Sequence, residues 1–178
     1  MAKKPPAPLV RDPAEIETCM LCILGGGKAV PGEGPLPARN MIVGEAPGAR
    51  EDWKGEPFVG LSGELLTALL GSIGLKREEV YITNLVKYRP PRNRPPHMKE
   101  IRACQRHLLE ELGEVRPEIV VAMGATAGKW FRPDLLLKKD HGLPQRLLQP
   151  SLTENLNTML TVIPMYHPAY ALRNPRFR

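Results

Sequence analysis

Four short apolar runs, separated by helix-forming stretches, restrict the fold of this chain more than any other feature. Asn40 to Val43, Val80 to Leu85, Glu118 to Met123 and Met159 to Met165 each read as a strand. Residues 62–73 read as a helix beginning near Ser62, with Leu65, Leu66, Leu69 and Leu70 on one face. Residues 98–112 form an amphipathic helix, and Gly124 to Phe131 a short one. Strands separated by helices point to a parallel sheet with helices on both faces. The expectation is a single α/β domain around a central four-stranded parallel sheet. Residues 1–12 read as a disordered tail before a domain spanning 13–178, and 132–157 as an irregular connection.

Sheets of this kind collect ligands at the carboxyl ends of their strands. Glu45, Asn84 and His167 each follow or end an apolar run, so three distant positions are expected to meet in one pocket. After the first run comes the tight, acidic turn Gly44-Glu45-Ala46-Pro47-Gly48-Ala49-Arg50-Glu51-Asp52. Its glycines and proline allow carboxylates and backbone N–H groups to approach a bound ring. The spacing is neither that of a Walker A loop nor that of a dinucleotide fingerprint.

The 178 residues suffice for one buried core. No apolar run approaches the roughly 20 residues needed to cross a bilayer, and the first residues lack the apolar core of a signal peptide. A cytoplasmic protein without membrane contact is expected. The net charge of +6 favours a polyanionic partner. Its placement says more: Lys87, Arg89, Arg92 and Arg94 crowd a proline-rich segment, and Arg173, Arg176 and Arg178 crowd the C-terminus. Arginines on stiff loops suit backbone phosphates. Cys19 and Cys22 form a close pair far from Cys104, a pattern that in a reducing compartment favours metal over a disulfide.

Beyond the acidic turn come Pro57-Phe58-Val59-Gly60, Thr83-Asn84-Leu85-Val86-Lys87, Arg89-Pro90-Pro91-Arg92-Asn93-Arg94 and His167-Pro168-Ala169-Tyr170. In this order, and from about Cys19 to Arg176, the chain resembles the iron–sulfur uracil-DNA glycosylases of family 4. The resemblance implies hydrolysis of the bond between uracil and deoxyribose, leaving an abasic site, by a monomer acting on uracil-containing DNA. It also implies a [4Fe–4S] cluster held by four cysteines. The third of these should follow the Thr-Asn-x-Val-Lys motif, where this chain has Tyr88. With Cys19, Cys22 and Cys104 alone, one iron must take Tyr88, His97, His107 or water, so an incomplete or labile cluster is expected. Zinc on the three cysteines and a histidine is the alternative. The expected role is structural, because glycosidic hydrolysis needs no electron transfer.

Within the resembling motifs, Asn84 is the reader of uracil's polar edge, since an amide both donates and accepts. Phe58 offers a face for stacking on the extruded base. Gly44, Ala46, Gly48 and Asp52 complete the base pocket, and the stretch Ala46 to Arg50 contains the block to a 5-methyl group. His167 is expected to donate to a uracil carbonyl, and Glu45 to stabilise the sugar cation and orient water. Glu51 and Asp52 are near enough to share that task. Arg89, Arg92, Arg94 and Arg173 are expected on phosphates, with Leu172 or Tyr170 as the wedge that fills the gap left in the stack. Two other readings compete: a uracil- or damaged-DNA-binding protein with little turnover, and a nucleotide-processing or RNA-binding protein that shares only the fold.

Overall fold

The computed structural model describes Leu24 and residues 27–147 and 159–174. Its centre is a five-stranded mixed sheet: β1 (Asn40–Gly44), β2 (Val80–Asn84), β3 (Ile119–Met123), β4 (Gln145–Leu147) and β5 (Leu160–Met165). The order across the sheet is β2-β1-β3-β5-β4. The four strands expected from the sequence are there and run parallel, while β4 lies antiparallel to β5 at the edge. The expectation of a purely parallel, four-stranded sheet is therefore corrected by one strand, taken from the segment read as irregular. β4 is three residues long, too short to display an alternating pattern. It returns beside β5 after the chain reverses at Gly142, whose φ of 75° suits glycine.

The strands are apolar on both faces because both faces are covered. Met41 and Val43 of β1, and Val120 and Ala122 of β3, pack with Ile101, Cys104, Leu108, Leu112 and Val115 of α3 (Met98–Val115). That stripe follows the helical period. Ile42 and Met123 point to the other face, against Leu66 and Leu70 of α2 (Leu61–Ser72). Only these two of the four leucines expected on one face of α2 are buried; Leu69 is half exposed. Shorter helices complete the described fold: α1 (Ala49–Lys54), α4 (Ala125–Phe131), α5 (Leu137–Asp140) and α6 (Pro168–Arg173).

The chain leaves β1 toward β2 on one side, and β3 then takes the place on the other side of β1. Where the winding direction reverses, the connections at the strands' carboxyl ends diverge and open a crevice. No helix among the described residues is long and apolar enough to cross a membrane.

Candidate active site

The crevice is a cleft of about 540 Å³ whose walls include Glu45, Ala46, Gly48, Glu51, Phe58, Asn84, Gly124, His167 and Arg173. Strand register brings these distant residues together. Gly44 lies opposite Asn84, and Met123 opposite Met165, so Glu45, Gly124 and His167 follow from one rim of the sheet. Gly44 has a spatial requirement as well. A Cβ there would meet the Phe58 ring at 2.7 Å and collide with the Asn84 amide oxygen.

Asn84 is 2% exposed and lines the cleft. Its side-chain amide takes no hydrogen bond from any described residue. Glu45 is half-buried, and its carboxylate likewise has no hydrogen-bond or ion-pair partner among the described residues. His167 caps the start of α6, its Nδ1 accepting from the Ala169 N–H at 3.1 Å. That bond assigns the proton of the neutral ring to Nε2. Burial pushes the His167 pKa below the ordinary histidine value, Arg173 pushes it the same way, and Glu51 opposes them. The ring stacks on Phe58, with centroids 5.6 Å apart and planes at 25°.

Phe58 is both core and wall: 5% exposed, packed with Ile42, Leu66 and Ile82, and lining the cleft. Its φ of 52° is one that bulky residues adopt only when held there. Arg77 holds it. One guanidinium nitrogen donates to the Phe58 carbonyl at 3.1 Å, the other to the Pro57 carbonyl and to Glu33, each at 2.6 Å. Sequence reasoning missed Arg77. Its only local signal is a basic residue just before β2, which resembles any solvated surface charge.

Two expected pocket carboxylates do different work in the structure. Glu51 accepts from the backbone N–H groups of Gly48, Val59 and Gly60, at 3.2, 3.1 and 3.0 Å. Through its two oxygens it clamps the 44–48 turn to the 57–60 loop while keeping its place on the cleft wall. Asp52 is not among the walls of this cleft. It accepts from the Lys28 N–H at 3.0 Å and lines a second cleft of about 380 Å³ with Arg89, Pro91 and Arg92.

The basic segment divides sharply. Lys87, one of the four cations crowded into that segment, is fully buried and paired with Glu111 at 2.8 Å, out of reach of any DNA backbone. Arg94 forms a two-pronged pair with Glu100, at 2.8 and 2.6 Å, and the hydrogen bond it donates holds the Glu100 pKa below the usual carboxylate range. Arg89 donates to the Asn93 side chain at 2.7 Å and lies 3.8 Å from Asp52. Arg92 and Arg173 remain exposed. Leu172 is half-buried on α6, and Tyr170 stacks on Tyr166 at 4.9 Å.

The four-cysteine cluster does not fit the donor set. The chain has three cysteines, of which Cys19 and Cys22 lie outside the described residues, as does the expected tail 1–12. Tyr88 and Cys104 are 4% and 2% exposed in one apolar cluster with Leu24 and Ile101. His97 caps α3, and His107 lies 3.8 Å from Glu110. Four thiolates cannot be assembled from this chain.

The family model of the Uracil DNA glycosylase superfamily matches residues 31–178. A type-4 uracil-DNA glycosylase of Archaeoglobus fulgidus is 42% identical over 168 residues, covering 92% of this chain and 83% of that one. Those of Saccharolobus solfataricus and Thermotoga maritima are also 42% identical, covering 92% and 89% of this chain and 77% and 80% of theirs. Matches of that extent to both the family model and full-length relatives leave one assignment: the chain belongs to the uracil-DNA glycosylase superfamily, in its type-4 branch.

Proposed function

We propose that this chain is a uracil-DNA glycosylase, hydrolysing the bond between uracil N1 and deoxyribose C1′ to leave an abasic site at the start of base excision repair. The observation that carries this reading is the meeting of Glu45, Asn84 and His167 in one cleft, with the Glu45 carboxylate and the Asn84 amide unclaimed by any described residue.

The extruded base enters beside Phe58, and the Asn84 amide pairs with its O4 and N3–H. His167, neutral and carrying its proton on Nε2, donates to O2, where negative charge grows as the bond to the sugar lengthens. A neutral donor suits a partner that begins uncharged, and burial keeps the imidazole in that form. The electron pair of the N1–C1′ bond leaves with uracil as its anion. Glu45 faces the developing sugar cation, orients a water toward C1′ and takes its proton as the new C–O bond forms. Glu51 acts through the loops it joins. Arg92 and Arg173, both exposed, are the described arginines that this reading assigns to phosphates.

Cys19, Cys22 and Cys104 offer three thiolates for an iron–sulfur or zinc centre with a structural role, and no step of the reaction runs through it. The test is uracil release from a labelled single-stranded oligonucleotide by the wild type, Glu45→Ala and Asn84→Ala. Alkali-sensitive cleavage only at uracil, slowed in both variants, is expected. Folded wild-type protein that binds uracil-DNA and releases nothing would leave the binding-protein reading in its place.

A further inference from the structure

Lys87 and Glu111 form an ion pair with neither side chain exposed, and nothing in the reaction above uses it. Every proton of the ammonium has an acceptor: Glu111 Oε2 at 2.8 Å, Thr83 Oγ1 at 2.6 Å and the Asn84 carbonyl at 2.9 Å. The Thr83 hydroxyl in turn donates to Glu111 Oε2 at 3.0 Å. Glu111 Oε1 accepts the Gly32 N–H at 3.2 Å, and the Lys87 carbonyl accepts the Val30 N–H at 2.8 Å. A buried charge pair is a poor source of stability, because desolvation consumes most of its attraction. Its value is directional, and here it is directed at the backbone of Asn84.

That residue needs such support. No described residue grips its amide, so the direction of the amide is set by its backbone and by the shape of the wall. On one side the backbone is paired with Gly44, and the Leu85 N–H that follows donates to the Gly44 carbonyl at 3.0 Å. On the other side the only side-chain group among the described residues that holds it is the Lys87 ammonium. An amide that must present donor and acceptor to two ring positions tolerates displacements of no more than about 0.5 Å.

Resting on the glycosylase reading, we propose that Lys87 and Glu111 are positioning residues for Asn84, fixing the strand end so that the amide meets the uracil edge. Lys87 then serves base recognition from inside the protein, and the strap 30–33, which touches both members of the pair, becomes part of its foundation.

The decisive variant is Lys87→Met with Glu111→Gln. It removes both charges together, so neither is stranded; the glutamine oxygen keeps the acceptor for the Gly32 N–H, and its amide N–H takes the place of the Lys87 ammonium as donor to Thr83 Oγ1. The Asn84 carbonyl is left without its side-chain donor. Single-turnover uracil release from a single-stranded oligonucleotide should slow about 100-fold, the scale of a misplaced reacting group. Made on the Asn84→Ala background, the same pair of changes should slow release by less than about threefold, because the group it positions is already gone. Thr83→Val, a smaller disturbance, should show the same dependence on Asn84 if the double variant fails to fold. Affinity for free uracil gives a readout independent of turnover and should fall alongside. Equal losses on both backgrounds, or undiminished release and uracil affinity in the folded double variant, would overturn the proposal. Failure of the glycosylase reading looks different: the wild type itself would release no uracil.

Discussion

The cleft wall and the proline-rich segment 87–94, which meet at Arg94, contain the same kinds of residue, and they differ in how many of these already have a partner. On the wall, Glu45 and Asn84 keep their side chains unclaimed by described residues. In the segment, Lys87 is spent on Glu111, Arg94 on Glu100, and Arg89 on Asn93. The carboxylates divide the same way, with Glu45 open and Glu51, Glu100 and Glu111 taken up by backbone or by cations. A charged residue in a functional motif is therefore as much a candidate strut as a candidate reagent. What separates the two is whether the fold has already given it a partner.

The comparison breaks most visibly at Glu45. Glu45→Ala should lower single-turnover uracil release by about 10³-fold, within the range of a lost general base, with the melting temperature unchanged. A rate within a few-fold of wild type would place Glu45 among the struts. Next in size, Asn84→Ala should lower release about 100-fold and weaken binding of free uracil, as expected for a lost donor aimed at a reacting group.

Within the basic segment the effects should separate by kind. Arg92→Gln should leave the melting temperature alone, weaken DNA binding and reduce the salt slope by about one. Arg94→Ala should lower the melting temperature by several degrees, because it strands a buried Glu100, while the salt slope stays put. The reverse pattern would mean that the ion pair opens on DNA.

The smallest effect concerns pH. Burial lowers the folded pKa of His167, so between that value and the unfolded value near 6.5 the unfolded chain binds the extra proton. Stability should therefore rise with pH across that window and fall as the solution is acidified through it. His167→Gln should flatten this part of the thermal-denaturation profile, and an unaltered slope would assign the dependence to other groups. Glu100, with its lowered pKa, contributes stability that is lost only at more acidic pH, as it protonates in the fold.

The sequence showed what depends on local pattern. Three of the four parallel strands end at or just before a glycine or an asparagine, the fourth runs on through Tyr166 to His167, and their register sets Glu45, Asn84 and His167 on one rim. Hidden were the facts that depend on a distant partner. Lys87 and Arg92 look alike in the sequence, and only Glu111, 24 positions beyond Lys87, tells them apart. Asp52 was drawn out of the base pocket by the backbone of Lys28, and Phe58 is pinned by Arg77 across 19 residues. Tyr88 is the reverse case: its departure from the cysteine pattern was plain in the sequence, and the structure adds only that the ring lies in the core.

β2 is the outer strand of the sheet, and a bare outer strand invites pairing with a strand from another molecule. Glu33 occupies that place, exchanging backbone hydrogen bonds with Ile82 at 2.9 and 2.8 Å. On the proposal above, the stretch that supports Asn84 is also the one that covers this edge. Damage to it should first be seen as self-association, with concentration-dependent light scattering before any loss of chemistry.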